Sequence, residues 1–494
     1  MKLIHKAVGD EIALQSWLRP ALTTVGPNKD YGQFREPLDA VDRVLRASHL
    51  ESMAMDFARV GFESVDAGQL RRRLEFARKA LRVHVLRMLL GNMPFRQLSR
   101  TIEGIKGVSK SVLERASQCF TAEPVRWMGQ VFIEMVAEAD RAAELGLAEP
   151  QSMETCLVDS TCWPTNIHFP VDWVLLRDVS RTLLKAVILI RRAGMRARMP
   201  AEPEVFARQM NRLCIEMTHT RRRANAKRAR KQVLRKMKRL LRTIGEHAQR
   251  HRNRLDQAYA STHTSARQAA RIVKRIVERI VERIDERIDA MLAQMPATIN
   301  QAHERIIGAR PVPNAEKILR VYEPDVQTVV RGKASGAVEF GNTLMISENV
   351  TGLITDWQLY QGMTPAEWRQ FDLSLERQNQ FDLSTPITAA GTDRGFSTKR
   401  MRQILAAAGI YDATCPRDPQ ELKQRMPEPK VIQLQRRRAS TEARIAILKQ
   451  RQGKRLRAKG FMHRYLTVAW SVLGHNLWLI ARLLADQPPL AQAA

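Results

Sequence analysis

TPITAAGTDRGFSTKRMRQILAAAGIYDATC, residues 385–415, decides the fold class. A short apolar run reads as a strand ending at Asp393. STKRMRQILAAAG then carries apolar residues at helical spacing and closes on Gly409, and IYDATCP returns to strand-forming residues. Outward from this core, TPAEWRQFDLSLERQNQFD (364–382) reads as a helix. The β-rich segment around Gly341, with a turn at Asn349 to Gly352, reads as a hairpin. Further upstream, CLVDST (156–161) is a short apolar run that delivers Asp159 at its end, followed by WPTNIHFPVDWVLL and a helix through DVSRTLLKAVILIRRA. Strand with acid, long insert, hairpin, helix, strand with acid, helix, strand and a last helix bearing Glu442 predict an α/β fold with a mixed sheet. Such sheets place their sites at strand ends, where both aspartates are expected.

Composition limits the function. The 494 residues hold 81 Lys+Arg against 51 Asp+Glu, a net charge of +30. Such an excess favours a polyanionic partner, because each neutralised phosphate releases counterions. No uncharged apolar run reaches the roughly 18 residues of a spanning helix; even VLLRDVSRTLLKAVILI is broken by charges. The first residues lack the layout of a signal peptide. Cys119, Cys156, Cys162, Cys214 and Cys415 show no C-x-x-C spacing. A cytoplasmic protein without zinc is expected.

Residues 1–150 read as a helical, DNA-binding N-terminal domain. Apolar positions recur at helical spacing through LDAVDRVLRASHLESMAMDFARV and RLEFARKALRVHVLRMLL. PFRQLSRTIEGIKGVSKSVLERASQCF (94–120) reads either as a helix-turn-helix presenting Lys110, Ser111 and Arg115 to DNA or as a plain helical hairpin. Residues 151–200 and 316–485 form two parts of the α/β core, and 201–315 a basic helical insertion, leaving a short tail from 486. In the insertion, Arg221, Arg222, Arg223, Lys227, Arg228 and Arg230 belong to a stretch with no acid up to Arg242. It fits phosphate contact, against the alternative of a solvated face. Ile272, Ile276, Ile280, Ile284 and Ile288, widened by Val273, Val277 and Val281, recur every four residues. They predict a long antiparallel hairpin or coiled coil, serving dimerisation or intrachain packing.

Asp159, Asp393 and Glu442 are of the type that phosphodiester chemistry needs. Hard divalent ions take carboxylate oxygens, and two of them roughly 3.5–4 Å apart activate a nucleophile and neutralise the leaving oxygen. At 100° per residue, Glu442 lies about 40° from Arg438 on a helix, and Lys449 about 20° from Arg438. One stripe thus carries an acid between two cations suited to phosphate, although intrahelical ion pairing gives the same pattern. Asp172 reads either as a further acid of the site or as a helix cap. His168 reads as structural or as a ligand.

Arg438-x3-Glu442-x6-Lys449 matches the R-x3-E-x6-K part of the Y-x2-R-x3-E-x6-K signature of bacterial insertion-sequence DDE transposases. VDST with TNIHFPVD, EPDVQTVVRGKASGAVEFG, TDRGF and KRLRAKGFMHRYLTVAWSVLGHNLWLIARLL extend the likeness. The chain most resembles the ISNCY grouping, over roughly residues 150–200 and 316–485. This resemblance implies an RNase H-like core interrupted by the helical insertion, with Asp159, Asp393 and Glu442 binding two Mg2+ (or Mn2+) ions. It implies cleavage at the terminal inverted repeats and transfer of the 3'-OH to target DNA, by a homodimer or higher oligomer. Arg438 and Lys449 would hold terminal phosphate or flanking DNA. Gln435 stands where the signature has Tyr, and Thr343 where a basic residue is usual after E-F-G-x. A non-catalytic DNA-binding scaffold derived from a transposase, or an RNase H-like nuclease without strand transfer, are the alternatives.

Overall fold

A computed structural model describes residues 29–59, 66–92, 94–95, 110–220, 225–262, 270–333, 336–383, 385–425 and 427–486. Its N-terminal helices are α1 (Lys29–Ala47), α2 (Leu50–Arg59), α3 (Ala67–Leu89), α4 (Lys110–Ala116), α5 (Ala122–Ala137) and α6 (Ala139–Glu144). Strand β1 (Thr155–Pro164) precedes four helices, α7 (Asp172–Arg192), α8 (Pro203–His219), α9 (Ala226–Thr262) and α10 (Ala270–His303). Then come β2 (Gln327–Lys333), β3 (Gly336–Glu348), β4 (Ile354–Leu359), α11 (Glu367–Gln378), β5 (Ala389–Thr392), α12 (Lys399–Ala407) and β6 (Tyr411–Asp412). Three helices follow: α13 (Pro419–Arg425), α14 (Pro429–Arg451) and α15 (Phe461–Asp486). The chain parts into two compact units, Met1–Asn166 with Gly341–Ala494, and Ile167–Phe340.

The protein is α/β. Its six-stranded mixed sheet has the order β2-β3-β1-β5-β6, with β4 also paired to β3. β1 runs antiparallel to β3 from Leu157↔Glu348 to Pro164↔Gly341, and parallel to β5 from Thr155↔Ala389 to Val158↔Thr392. The β3–β4 turn is the expected hairpin. Asn349 Oδ1 accepts from the Thr351 and Leu353 N–H groups, and Gly352 has φ +92°. The positive φ favours glycine there, and a Cβ would also push aside the Arg444 guanidinium.

Side chains alternate across the sheet. Cys156, Val158 and Met345 meet Phe371, Leu375, Met401 and Leu405 of α11 and α12 on one face. Leu157 and Ala389 meet Leu434 of α14 on the other. Asp159 shares parity with Leu157 and therefore opens onto the α14 face. It does so from mid-strand, because β3 pairs with β1 as far as Pro164; the expectation that the strand ends at this acid is corrected.

The N-terminal helices are not closed off from the C-terminal sequence. α15 packs with α1, α3 and α5 in one core that includes Leu45, Leu86, Phe132 and Trp470. By length and composition α15 could cross a membrane, which the reading of apolar runs missed, but 72% of that apolar window is buried within the protein. It serves as the core helix of this unit. Near its middle, buried Asn476 acts as a substitute strand: Oδ1 accepts from the Ile354 N–H at 3.0 Å and Nδ2 donates to the Ile354 carbonyl at 2.9 Å.

In the second unit the expected antiparallel hairpin is present as part of a bundle. Arg252 of α9 pairs with Asp289 of α10 at 2.7 Å, and Lys238 with His303 at 3.0 Å, so the helices run opposite ways. Leu176, Val179, Leu183 and Val187 of α7 fill the core with Leu234, Leu241 and Ile244 of α9. Because α7 needs that cover for its apolar stripe, it belongs with the insertion, and the unit boundary falls after Asn166 instead of near residue 200. Ile284 and Ile288 are buried in this intrachain core. The side chains of Ile272, Ile276, Ile280, Val273, Val277 and Val281 lie outside the described residues. Asp172 neither caps a helix through its side chain nor faces a carboxylate cluster; it accepts from Gln301 Nε2 at 2.9 Å and Arg305 Nη1 at 2.8 Å. His168 is exposed.

Replacing Asn476 leaves two backbone groups of β4 buried without partners. Asn476→Leu should cost about 2–4 kcal/mol of unfolding free energy by denaturant titration. A loss under about 0.5 kcal/mol would show that the amide does not serve as the edge partner of β4.

Candidate active site

The parallel register fixes the first two acids. Val158 pairs with Thr392, so the next positions along both strands are Asp159 and Asp393, on neighbours about 4.8 Å apart. β5 ends at Thr392 and releases Asp393 at its tip, as its short apolar run predicts. Asp393 Oδ1 accepts from the Gly395 N–H at 2.9 Å, and Asp159 Oδ1 from the Ser160 N–H at 2.7 Å. One oxygen of each carboxylate is thereby oriented by its own loop or strand.

α14 brings the third acid across the same face. Polar contacts at three places seat the helix on the sheet. At its first half, Gln435 Nε2 donates to the Thr392 and Ala413 carbonyls. At its middle, Thr441 Oγ1 donates to buried Glu348 at 2.9 Å, with Arg444 Nε at 3.4 Å from the same carboxylate. Near its end, Lys449 Nζ donates to Thr161 Oγ1 and the Cys162 carbonyl, both at 2.7 Å. So Arg438 and Lys449 of the predicted stripe face the sheet, and Glu442 lies at its exposed edge. Lys449, however, gives two of its donors to β1, two and three residues beyond Asp159.

Electrostatics couples the three acids. Burial raises the Asp159 carboxyl to about 6, and repulsion from Asp393 and Glu442 adds to it, against the lowering by the Ser160 N–H and Arg438. The guanidinium of Arg438 lies between two of them, Nη1 being 3.9 Å from Asp159 Oδ2 and 3.6 Å from Glu442 Oε1. Glu442 is 68% exposed at its side chain, whereas Asp159 is 11% exposed. Among the described residues no three His, Cys, Asp or Glu side chains are gathered tightly enough to hold a metal ion. Coupling through space reaches further than coordination. The donors suit a hard divalent cation in kind and in charge, and the arrangement is an open set with one exposed arm, not a closed cage.

Glu348 and Gln435 were not foreseen as parts of this site. The signal for Glu348 was available: it ends the apolar run TLMISE at the parity of Leu344 and Ile346. Thr343, at the position of a usual basic residue, accepts from the Thr364 hydroxyl at 2.9 Å.

The candidate DNA contacts divide. Lys110 and Arg115 are exposed on α4, with Lys110 paired to Glu114 at 2.9 Å; residues 96–109, including the predicted turn, lie outside the described residues. Arg221, Arg222 and Arg223 lie outside them as well. Lys227 and Arg228 are exposed, while Arg230 is half-buried over the Trp173 ring at 5.3 Å. Further along the basic stretch, Arg228, Arg235, Arg239 and Arg242 are all exposed and fall within about 60° of one another around α9. All five cysteines are free. No known protein family, curated protein or solved structure matches this chain.

The Asp159 shift sets a pH dependence. Its folded value, about 6, is above the unfolded one, so the native state binds the extra proton between about pH 4 and 6, and stability falls as pH rises through that window. Asp159→Asn should remove this fall and stabilise the protein at pH 7 by on the order of 2 kcal/mol, read from melting curves at several pH values. Parallel pH profiles for the two proteins would refute the coupling.

Proposed function

We propose that this protein is the DNA transposase of a bacterial insertion sequence, cutting and joining DNA with divalent metal at Asp159, Asp393 and Glu442. The observation that carries the reading is the β1–β5 register, which sets two acids of widely separated motifs side by side, with α14 supplying the third across the same face. A mixed sheet with helices on both faces is compatible with the RNase H-like core that the motif resemblance implies.

On this reading each residue has a distinct task. Asp159 and Asp393, on paired backbones, form the fixed side of the cation site, and Glu442, exposed on its helix, closes it. Bound Mg2+ or Mn2+ would make a bound water easier to deprotonate and would supply a positive centre beside the leaving oxygen. Arg438 presents a donor to a phosphate oxygen near the acids. Lys449 keeps β1 and α14 together, so its part is support and not DNA contact. The exposed arginines of α9 track phosphates without reading sequence. Two such subunits would hold two element ends, in a cytoplasmic, nucleoid-associated complex.

The test is cleavage at the ends of the element that carries this gene. Wild-type protein should cut matched end DNA only with Mg2+ or Mn2+, and Asp393→Asn should reduce the rate by at least about a thousandfold. Equal rates for the two proteins would end the catalytic reading, leaving a DNA-binding scaffold. Joined products distinguish a transposase from a nuclease that only cuts. Separately, changing Arg228, Arg235, Arg239 and Arg242 to Gln should weaken DNA binding and lower the slope of log K against log salt by about 0.9 per lost phosphate contact. An unaltered slope would return this face of α9 to plain solvation.

A further inference from the structure

Gln435 occupies the position at which α14 meets the ends of two parallel strands. Its Nε2 donates to the Thr392 carbonyl at 3.0 Å and to the Ala413 carbonyl, and its Oε1 accepts from Arg438 Nε at 3.1 Å. This amide has one orientation only. Turned over, it would set an acceptor against two carbonyl oxygens and a donor against a guanidinium. The strand ends thus fix the amide, and the amide fixes Arg438.

What the tether prevents is visible in the distances. A guanidinium free to pair with carboxylates closes to about 2.7–2.9 Å. Arg438 Nη1 instead stands 3.9 Å from Asp159 and 3.6 Å from Glu442, and it is buried with no hydrogen-bond partner. Leaving a buried donor unpartnered between two acids is costly, so its position calls for a restraint, and the Gln435 bond to Nε supplies one. Glu442 is exposed enough to swing, so the restraint acts on the arginine.

We infer that Gln435 is a positioning residue that holds the Arg438 guanidinium short of Asp159 and Glu442, leaving the carboxylates open to a divalent cation. Without the tether, Arg438 closes on the acids and competes with the cation for them. Gln435 therefore sets cation affinity through Arg438, and only through it.

The experiment is a double-mutant cycle on the full chain, read as Mn2+ binding by electron paramagnetic resonance without DNA. The proteins are wild type, Gln435→Leu, Arg438→Leu and the double variant, with Asp393→Asn marking binding at this site. Gln435→Leu should weaken Mn2+ binding about tenfold, the equivalent of one charge-assisted hydrogen bond. In the Arg438→Leu background the same replacement should change it by less than about twofold. Equal losses in both backgrounds would overturn the inference, since Gln435 would then act through the strand ends alone; so would no loss in either. Gln435→Met, which keeps the side chain's length, carries the same comparison if Gln435→Leu fails to fold. The inference rests on the proposed cation site. Wild-type protein without Mn2+ binding sensitive to Asp393→Asn would overturn both, whereas such binding indifferent to Gln435 would overturn this inference alone.

Discussion

The parallel pairing of β1 with β5 is the constraint on which the rest depends. Four register pairs, Thr155↔Ala389 to Val158↔Thr392, decide that position 159 continues beside position 393. A slip of one residue would turn Asp159 to the face of α11 and α12, among the apolar Phe371 and Met401, where burying a second ionised carboxylate is costly. The apolar alternation around the acid guards against that slip. Cys156 and Val158 belong to one core, Leu157 to another, and each helix layer accepts only its own set.

Given that register, the seating of α14 completes the site. The helix is fastened to strand ends through Gln435, to β3 through Glu348 and to β1 through Lys449. Burying Glu348 is expensive, and its carboxyl is pushed up by that burial, offset by Thr441 and Arg444. A helix so anchored has little freedom to slide, which is what a carboxylate serving a site from the helix surface needs.

Local pattern made part of this legible. The strand before Asp393, the helix closing at Gly409 and the turn at Asn349 to Gly352 follow from short-range signals, and the structure has all three. The stripe of Arg438, Glu442 and Lys449 was also readable, because helical phase needs no partner. What the stripe touches was not: Lys449 looked like a free cation and turns out to bind β1, whose distance along the chain hides the contact. The length of β1 was hidden likewise, since only pairing with β3 keeps it extended past Asp159. In α15, His463, Arg464, His475 and Arg482 masked an apolar helix; buried Arg464 is accommodated because Asn342 accepts from its Nε at 3.0 Å.

Pro164 and Gly341 are register partners, yet everything between them in sequence belongs almost wholly to a separately compact unit. This has a kinetic meaning. Closing so long a segment as a floppy chain would cost about 4–5 kcal/mol in loop entropy. If the helical bundle forms first, from contacts among its own helices α7 to α10, its folded body brings the two ends into range and the central sheet zips afterwards. The insertion would then act as the chain's own splint: slowing its folding would delay formation of the sheet that carries the acids, even with every residue of that sheet unchanged.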